Sequence, residues 1–430
     1  MGRHLKRSTC PRSRVDAEFD PFHVSQLSDP YVFYSHARRE EPVFFNSMLR
    51  TWYVTRYDDI VTVLNDPARF SMVDALETPF DYTPGTVDMT RKRLISRNTQ
   101  EEHSAASCSL YPLKRISQTW IRRAVTRFFA ARQIGDLDLR VRRIADDLVE
   151  RFADRGQAEF VSEFASPLPI RVILNVLGAR EDDDSLQLKR WADDWLALST
   201  GQLTVEAHAQ ATERLVEAQQ YWLTLIEARR RCPCPDLLSS LITASQEDEG
   251  SVSPLQVLNA CWVLALAGYE TTANLLSICL YRLLTIPEQW RLVCEDRANV
   301  PKAIEETLRA DTPVHALMRI TTEPVDLGGV RIPRGERLAV LFASANHDEK
   351  YFHDPLRFDL CRKGASRHIA FGRGVHSCLG ARLARLEGRI ALELLIDRLP
   401  GLRLARVGEI AFVANPIHRG LKELRIAWDI

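Results

Sequence analysis

The chain has no excess of charge of either sign. Lys and Arg number 57 and Asp and Glu number 57, so net charge gives no argument for nucleic acid or an acidic membrane surface as partner. It also lacks a cysteine framework. Nine cysteines, an odd count, are scattered without regular spacing, which suggests free thiols in a reducing compartment. The one close pair, Cys232 and Cys234 in RCPCPDLLSS, has no second ligand pair nearby. A Pro-rich turn is therefore favoured over half a zinc site. No run reaches the roughly 20 apolar residues of a membrane span; the best candidate, VLNACWVLALAGYETTANLLSICL (257–280), carries Glu270 and Asn274 in its middle. The first residues, MGRHLKRSTCPRSR, are basic but have no apolar core behind them, which argues against a secretory signal. Lys6 stands where myristoylation would want Ser or Thr. Repeats and low-complexity linkers are missing too. The expectation is a disordered basic tail over residues 1–18 and one domain over 19–430. The protein would be cytoplasmic and bind neither nucleic acid nor membrane.

What is present is mostly helical pattern. Short alternating runs, 43-VFFN-46 and 51-TWYVTRY-57, read as strands, and an Asp-capped helix follows. Apolar residues recur at helical spacing over 119–134, 137–153 and 207–231. The longest run, 254–287, is bounded by Pro254 and Pro287. At ~1.5 Å per residue it would span roughly 45 Å. Being apolar on nearly every face, it belongs in the centre of the molecule. A short helix over 300–310, strands at 325–333 (with a Gly-Gly turn) and 337–343, and a helix over 378–397 complete the pattern. The fold class is mainly α with small β-sheets, built around one long central helix.

The most informative stretch is 368-HIAFGRGVHSCLGARLARLE-387. Gly372, Gly374 and Gly380 free the backbone around Cys378 and let it approach a flat ligand. Backbone N–H groups and the following helix N-terminus would lower the thiol pKa and stabilise a thiolate. A thiolate is a nucleophile or a metal ligand; no general base held by an acid stands nearby, which favours the ligand. In the long helix, Gly268, Glu270 and Thr271 read as a local distortion carrying an acid and a hydroxyl, because a buried Glu is costly unless used and a mid-helix Thr bonds the carbonyl four residues back. The bland reading is a polar helix face with a packing glycine. Glu306 and Arg309 lie at i and i+3, where they can pair, and 354-DPLRFD-359 follows 48 positions after Arg309 at Arg357.

Phe371-x-x-Gly374-x-His376-x-Cys378-x-Gly380 resembles the haem-binding signature of the cytochromes P-450, the haem-thiolate monooxygenases. The resemblance runs from about residue 20 to the C-terminus, apart from 75–118. It implies the P-450 fold and haem b, held by Cys378 in a loop that includes Phe371, Gly372 and Gly380. It implies a structural triad of Glu306, Arg309 and Arg357, and a proton relay to the reacting dioxygen through Glu270 and Thr271. Haem carboxylates would meet Arg122, Arg319 and His376, since Arg matches a carboxylate with its planar fork. Gln118 stands where many members have His, and the usual Asp-Pro-Pro before it is absent. By the same resemblance, Val263, Ala267, Val314, His315 and Ile417 would line the substrate pocket. His315 gripping a polar or carboxylate substrate is a lesser reading beside a hydrogen-bonded loop histidine. Arg123, Arg127, Arg367 and Arg373 would form a basic face suited to an acidic ferredoxin, supplied by a ferredoxin reductase.

The implied activity is insertion of one oxygen atom from O2 into a small organic substrate, by hydroxylation or epoxidation, in secondary metabolism. Oxidative coupling or peroxide-driven chemistry on the same scaffold, a non-catalytic haem-thiolate protein and a zinc module remain as alternatives.

Overall fold

The computed structural model describes residues 13–72, 75, 118–131, 134–200, 203–247, 252–406 and 410–430. Most of 75–118 thus lies outside the described residues. The tail expected over 1–18 falls partly outside them and partly conflicts with them. Arg14–Glu18 is a helix, capped by the Ser13 hydroxyl, and it buries Val15 and Asp16. Asp16 accepts from Asn46 Nδ2 and the Ser47 amide, which ties this turn to the first strand.

The longer helices are α1 (Tyr31–Glu40), α2 (Tyr57–Asn65), α3 (Gln118–Ala131), α4 (Ile134–Glu150), α5 (Pro167–Leu177), α6 (Glu181–Thr200), α7 (Val205–Arg231), α8 (Leu237–Gln246), α9 (Pro254–Thr285), α10 (Pro287–Glu295), α11 (Val300–Ala310) and α12 (Ala381–Arg398). The main sheet has five strands in the order Val43–Asn46, Thr51–Val54, Arg337–Leu341, Ala316–Thr321, Phe70–Ser71. Thr51–Val54 and Arg337–Leu341 pair in parallel; the other neighbours are antiparallel. Val325–Leu327 and Val330–Ile332 form the expected hairpin. Its turn residues, Gly328 and Gly329, both have positive φ, as a tight hairpin of this hand demands.

α9 is the axis of the helical part. Ser253 accepts from the Gln256 amide and Gln256 caps back onto Ser253, with Pro254 at the first helical position. Its apolar side chains face α5, α7, α10, α11 and α12. Gly268 lets α5 close in, since a Cβ there would stand 3.0 Å from Ile173. Length and composition would allow α9 to cross a membrane, and 56% of its most apolar window is buried inside the protein. One core surrounds this helix; a second lies under the main sheet with the N-terminal segment, α1 and α2. The cysteine loop, the strand Ala316–Thr321 and α9 all line one cavity.

Candidate active site

The loop before α12 has the geometry its glycines permit. Gly372 and Gly374 take φ of 67° and 72°, a region open to glycine and costly for other residues. A Cβ on Gly374 would lie 2.8 Å from the Leu64 carbonyl at the end of α2. Gly380 differs from expectation: its φ is −85°, so no special backbone conformation requires it. α12 starts at Ala381, leaving Cys378 in the loop ahead of it. The Cys378 amide donates to the Phe371 carbonyl at 2.8 Å. Its sulfur faces Gly380 and Ala381 N–H groups, as the sequence suggests, but the net effect on the thiol is the reverse of that expected. Burial pushes its pKa up and outweighs the two amides and the cations Arg122 and Arg385. The residue does present surface, but that surface lines an internal cavity. Without a metal, a sulfur so enclosed keeps its proton.

Behind the loop lies a buried charge cluster, and here the sequence reading needs correction. Glu306 and Arg309 pair as expected, with two contacts of 2.9 and 2.8 Å, both side chains fully buried. The third member is Arg362, whose Nε lies 2.9 Å from Glu306 Oε1. Arg357 turns its side chain to solvent and contributes its carbonyl, which accepts from Arg309 Nη2 at 3.2 Å and from Arg362. Asp354, with φ of 46°, opens the turn that leads to Arg357, whose amide donates to the Asp354 carbonyl at 3.2 Å. Sequence reasoning also missed a neighbouring group. Arg385 makes two contacts with Glu305, His368 lies 3.3 Å from the same carboxylate, and the Arg385 guanidinium stands 4.5 Å from the Phe371 ring centre. Burial opposes ionisation of Glu305, but His368 and Arg385 hold its pKa at about 2.

A cavity of about 720 Å³ opens onto Cys378. Phe371, Gly372, His376 and Gly380 line it on the loop side, and Glu270 and Thr271 on α9. All five expected pocket residues, Val263, Ala267, Val314, His315 and Ile417, reach the same space. Trp195, Phe412 and His418 join them; nothing in the sequence flagged these, because they come from distant segments without a motif. α9 runs unbroken through its acid–hydroxyl stretch, and the expected distortion is reduced to two side-chain bonds: Thr271 Oγ1 donates to the Ala267 carbonyl at 2.9 Å and Thr272 Oγ1 to the Gly268 carbonyl at 3.2 Å. His315 is buried, and among the described residues its Nε2 has no hydrogen-bond partner. Burial and Arg419 hold its pKa well below the usual value, so it is neutral and unsuited to gripping a carboxylate.

One rim of the cavity carries the guanidinium groups of Arg319 and Arg122. Arg319 is 2% exposed, and burial lowers its pKa to about 10. Its Nη1 donates to the Met318 carbonyl at 2.7 Å, and among the described residues no carboxylate pairs with it. Arg122 donates to the Ser377 carbonyl at 2.9 Å. His376 lies close enough to both arginines that, after burial, they lower its pKa. An unanswered buried guanidinium costs free energy unless a ligand supplies the anion. Two carboxylates of a flat, dianionic cofactor fit this rim, and a sulfur at the end of the same cavity fits a metal at its centre. The backbone of Gln118 begins α3; its side chain lies outside the described residues. Of the four proximal arginines, Arg127 is paired with Glu247 at 2.5 Å, while Arg123, Arg367 and Arg373 are exposed. Cys232 and Cys234 are free, and among the described residues no three His, Cys, Asp or Glu gather to hold a metal.

Comparison with known proteins agrees with this geometry. The family model described as "Cytochrome P450" matches residues 117–400. The chain is 36% identical to cytochrome P450 monooxygenase PikC of Streptomyces venezuelae, over 93% of this chain and 91% of that one. It is 35% identical to mycinamicin IV hydroxylase/epoxidase of Micromonospora griseorubida, over 88% and 89%. Among solved structures, the P450 heme domain of Tepidiphilus thermophilus superposes with a TM-score of 0.85 at 30% identity, covering 96% of this chain and 97% of that one. The cofactor of such a fold is haem b, and the activity that accompanies it is oxidoreductase chemistry of the monooxygenase type. A cysteine in a glycine loop, a cavity bordered by the buried Arg319 with no carboxylate partner among the described residues, and a likeness running nearly end to end therefore lead to one place: this chain belongs to the cytochrome P450 family of haem-thiolate monooxygenases.

Proposed function

We propose that Cys378 ligates the haem iron and that the protein hydroxylates or epoxidises a small organic molecule of secondary metabolism, in the cytoplasm, with electrons from a separate ferredoxin and its reductase. When bound, haem supplies the activation of O2 and the transfer of one oxygen atom to the substrate, the other leaving as water with two electrons and two protons. Arg122, Arg319 and His376 hold the haem carboxylates. The Gly380 and Ala381 amides donate to the Cys378 sulfur and so favour the thiolate once a metal replaces its proton. Thr271 and Glu270 pass protons into the cavity, the hydroxyl through its orientation on the Ala267 carbonyl and the acid through its carboxyl oxygens. Val263, Ala267, Val314 and Ile417 give the substrate an apolar wall. The double activity in the name of the mycinamicin IV enzyme supports leaving hydroxylation and epoxidation both open.

The observation that carries this reading is the shared cavity, with Cys378 at one site and the unpaired Arg319 at another. The test is the absorption spectrum of the dithionite-reduced protein with and without carbon monoxide. A strongly red-shifted Soret band, lost in Cys378→Ala, is expected. A band at the ordinary position, or no haem, would refute the assignment.

A further inference from the structure

The carboxylate of Glu270 faces a histidine that no motif announces. His418 Nδ1 lies 3.6 Å from Glu270 Oε1. That nitrogen is buried and, among the described residues, has no hydrogen-bond partner. Both side chains are mostly enclosed, with 22% and 26% of their surface accessible, and both line the cavity.

The turn that carries His418 is held at several points. Asn415 Oδ1 accepts from the Ile417 and His418 amides at 2.9 and 3.0 Å. Val314 and His418 form a β-bridge, and the Arg419 amide donates to the Pro313 carbonyl. The Arg419 guanidinium, next in the chain, is buried against Asp311 and the carbonyls of Leu27 and Ser28. Gly420 brings the turn against α9: a Cβ there would lie 2.0 Å from Asn274 Oδ1, one helical turn beyond Glu270. Other ionisable groups face this pair. Tyr269 lies beside Glu270 and interacts with Asp193. His315 feels the charge of His418 but is itself neutral. Arg419 is answered by Asp311. None of them occupies the space between the imidazole and the acid.

We propose that His418 is the positioning residue of the Glu270 carboxylate. It fixes the orientation of the acid and shares its proton, so proton delivery at Glu270 depends on both side chains. A carboxylate in an otherwise apolar helix is poorly solvated, and an imidazole on a rigid turn gives it a partner that can hold or release a proton. The inference rests on the haem-thiolate reading above.

Infrared spectroscopy of the reduced, carbon monoxide-bound protein tests it, because the CO stretching band responds to charge and donors in the cavity. Wild type, His418→Phe, Glu270→Gln and the double variant are compared. Each single change is expected to move the band, and the double variant to fall with the singles rather than at their sum. With a surrogate ferredoxin pair, the fraction of NADPH electrons recovered as hydrogen peroxide should rise several-fold in His418→Phe. An unmoved band in His418→Phe, or additive shifts, would overturn the proposal. If His418→Phe takes up no haem, His418→Asn is read by the same criteria. The Soret position of wild type separates failure of this inference from failure of the haem-thiolate assignment: a red-shifted band with additive infrared shifts sinks only the former.

Discussion

Replacing Arg362 by Ala should weaken the protein far more than replacing Arg357, although the sequence motif points to the latter. The Arg362 side chain is 8% exposed. It gives Nε to Glu306 at 2.9 Å and its other nitrogens to the carbonyls of His353, Asp354 and Arg357. Glu306 is fully buried and also holds Arg309 and the Asp359 amide. Removing one partner of such a cluster costs about 3–5 kcal/mol, because buried charge and carbonyls are left unanswered. An unfolding entropy of about 2.1 cal/mol/K per residue gives roughly 0.9 kcal/mol/K for 430 residues. The melting temperature of Arg362→Ala should therefore fall by about 3–6 °C, with faster haem release because the segment stands behind the cysteine loop. Arg357→Ala removes a solvated side chain and keeps the carbonyl, so its melting temperature should stay within about 1 °C of wild type. Differential scanning calorimetry of the haem-loaded proteins measures both. Equal losses in the two variants, or no loss in Arg362→Ala, would refute the assignment of Arg362.

Gly374→Ala should lose haem faster, since it forces a side chain into φ of 72° and a contact of 2.8 Å with the Leu64 carbonyl; strain of about 1–3 kcal/mol is expected, read as the rate of haem transfer to an acceptor globin. Glu305 has its pKa held at about 2 against an ordinary 4.5, so its stabilisation is full above 4.5 and is lost as pH falls toward 2. The difference in denaturation midpoint between wild type and Glu305→Gln should then be largest near neutrality and close on acidification. Equal midpoints at pH 7 would count against the Glu305–Arg385–His368 cluster.

The sequence showed most clearly those parts whose cause is local. α9 could be read from its capping residues, its prolines and an apolar surface on every side. The Gly-Gly hairpin and the cysteine loop were readable because positive φ leaves glycine as its mark. α5 falls in a stretch read as mostly helical but was not singled out, because it is buried nearly throughout and has no polar face to set a period. The partners of Glu306 and Glu270 were misassigned or missed for a different reason. Arg362 and His418 reach these acids across 56 and 148 positions of chain, and which side chain arrives depends on how intervening turns fold. The thiol of Cys378 shows a further limit: its amide donors are local and readable, whereas the burial that outweighs them belongs to the whole molecule.

Under the proposed function, the strand Ala316–Thr321 carries both the cofactor rim, at Arg319, and part of the substrate wall, at Leu317 and Met318, all of which line the cavity. It pairs with Arg337–Leu341 along most of its length, with Arg319 opposite Leu338 and Leu317 opposite Val340, and with Phe70–Ser71 at Ile320 and Thr321. A slip of one residue would carry every side chain to the opposite face and break the pairing of Arg319 with Leu338. Under the proposed function, exchange of side chains along this strand alters the substrate wall while keeping the register that places Arg319. Libraries that vary Val314 and Leu317 while sparing Arg319 and strand length should retain haem, whereas single-residue deletions within 316–321 should abolish it.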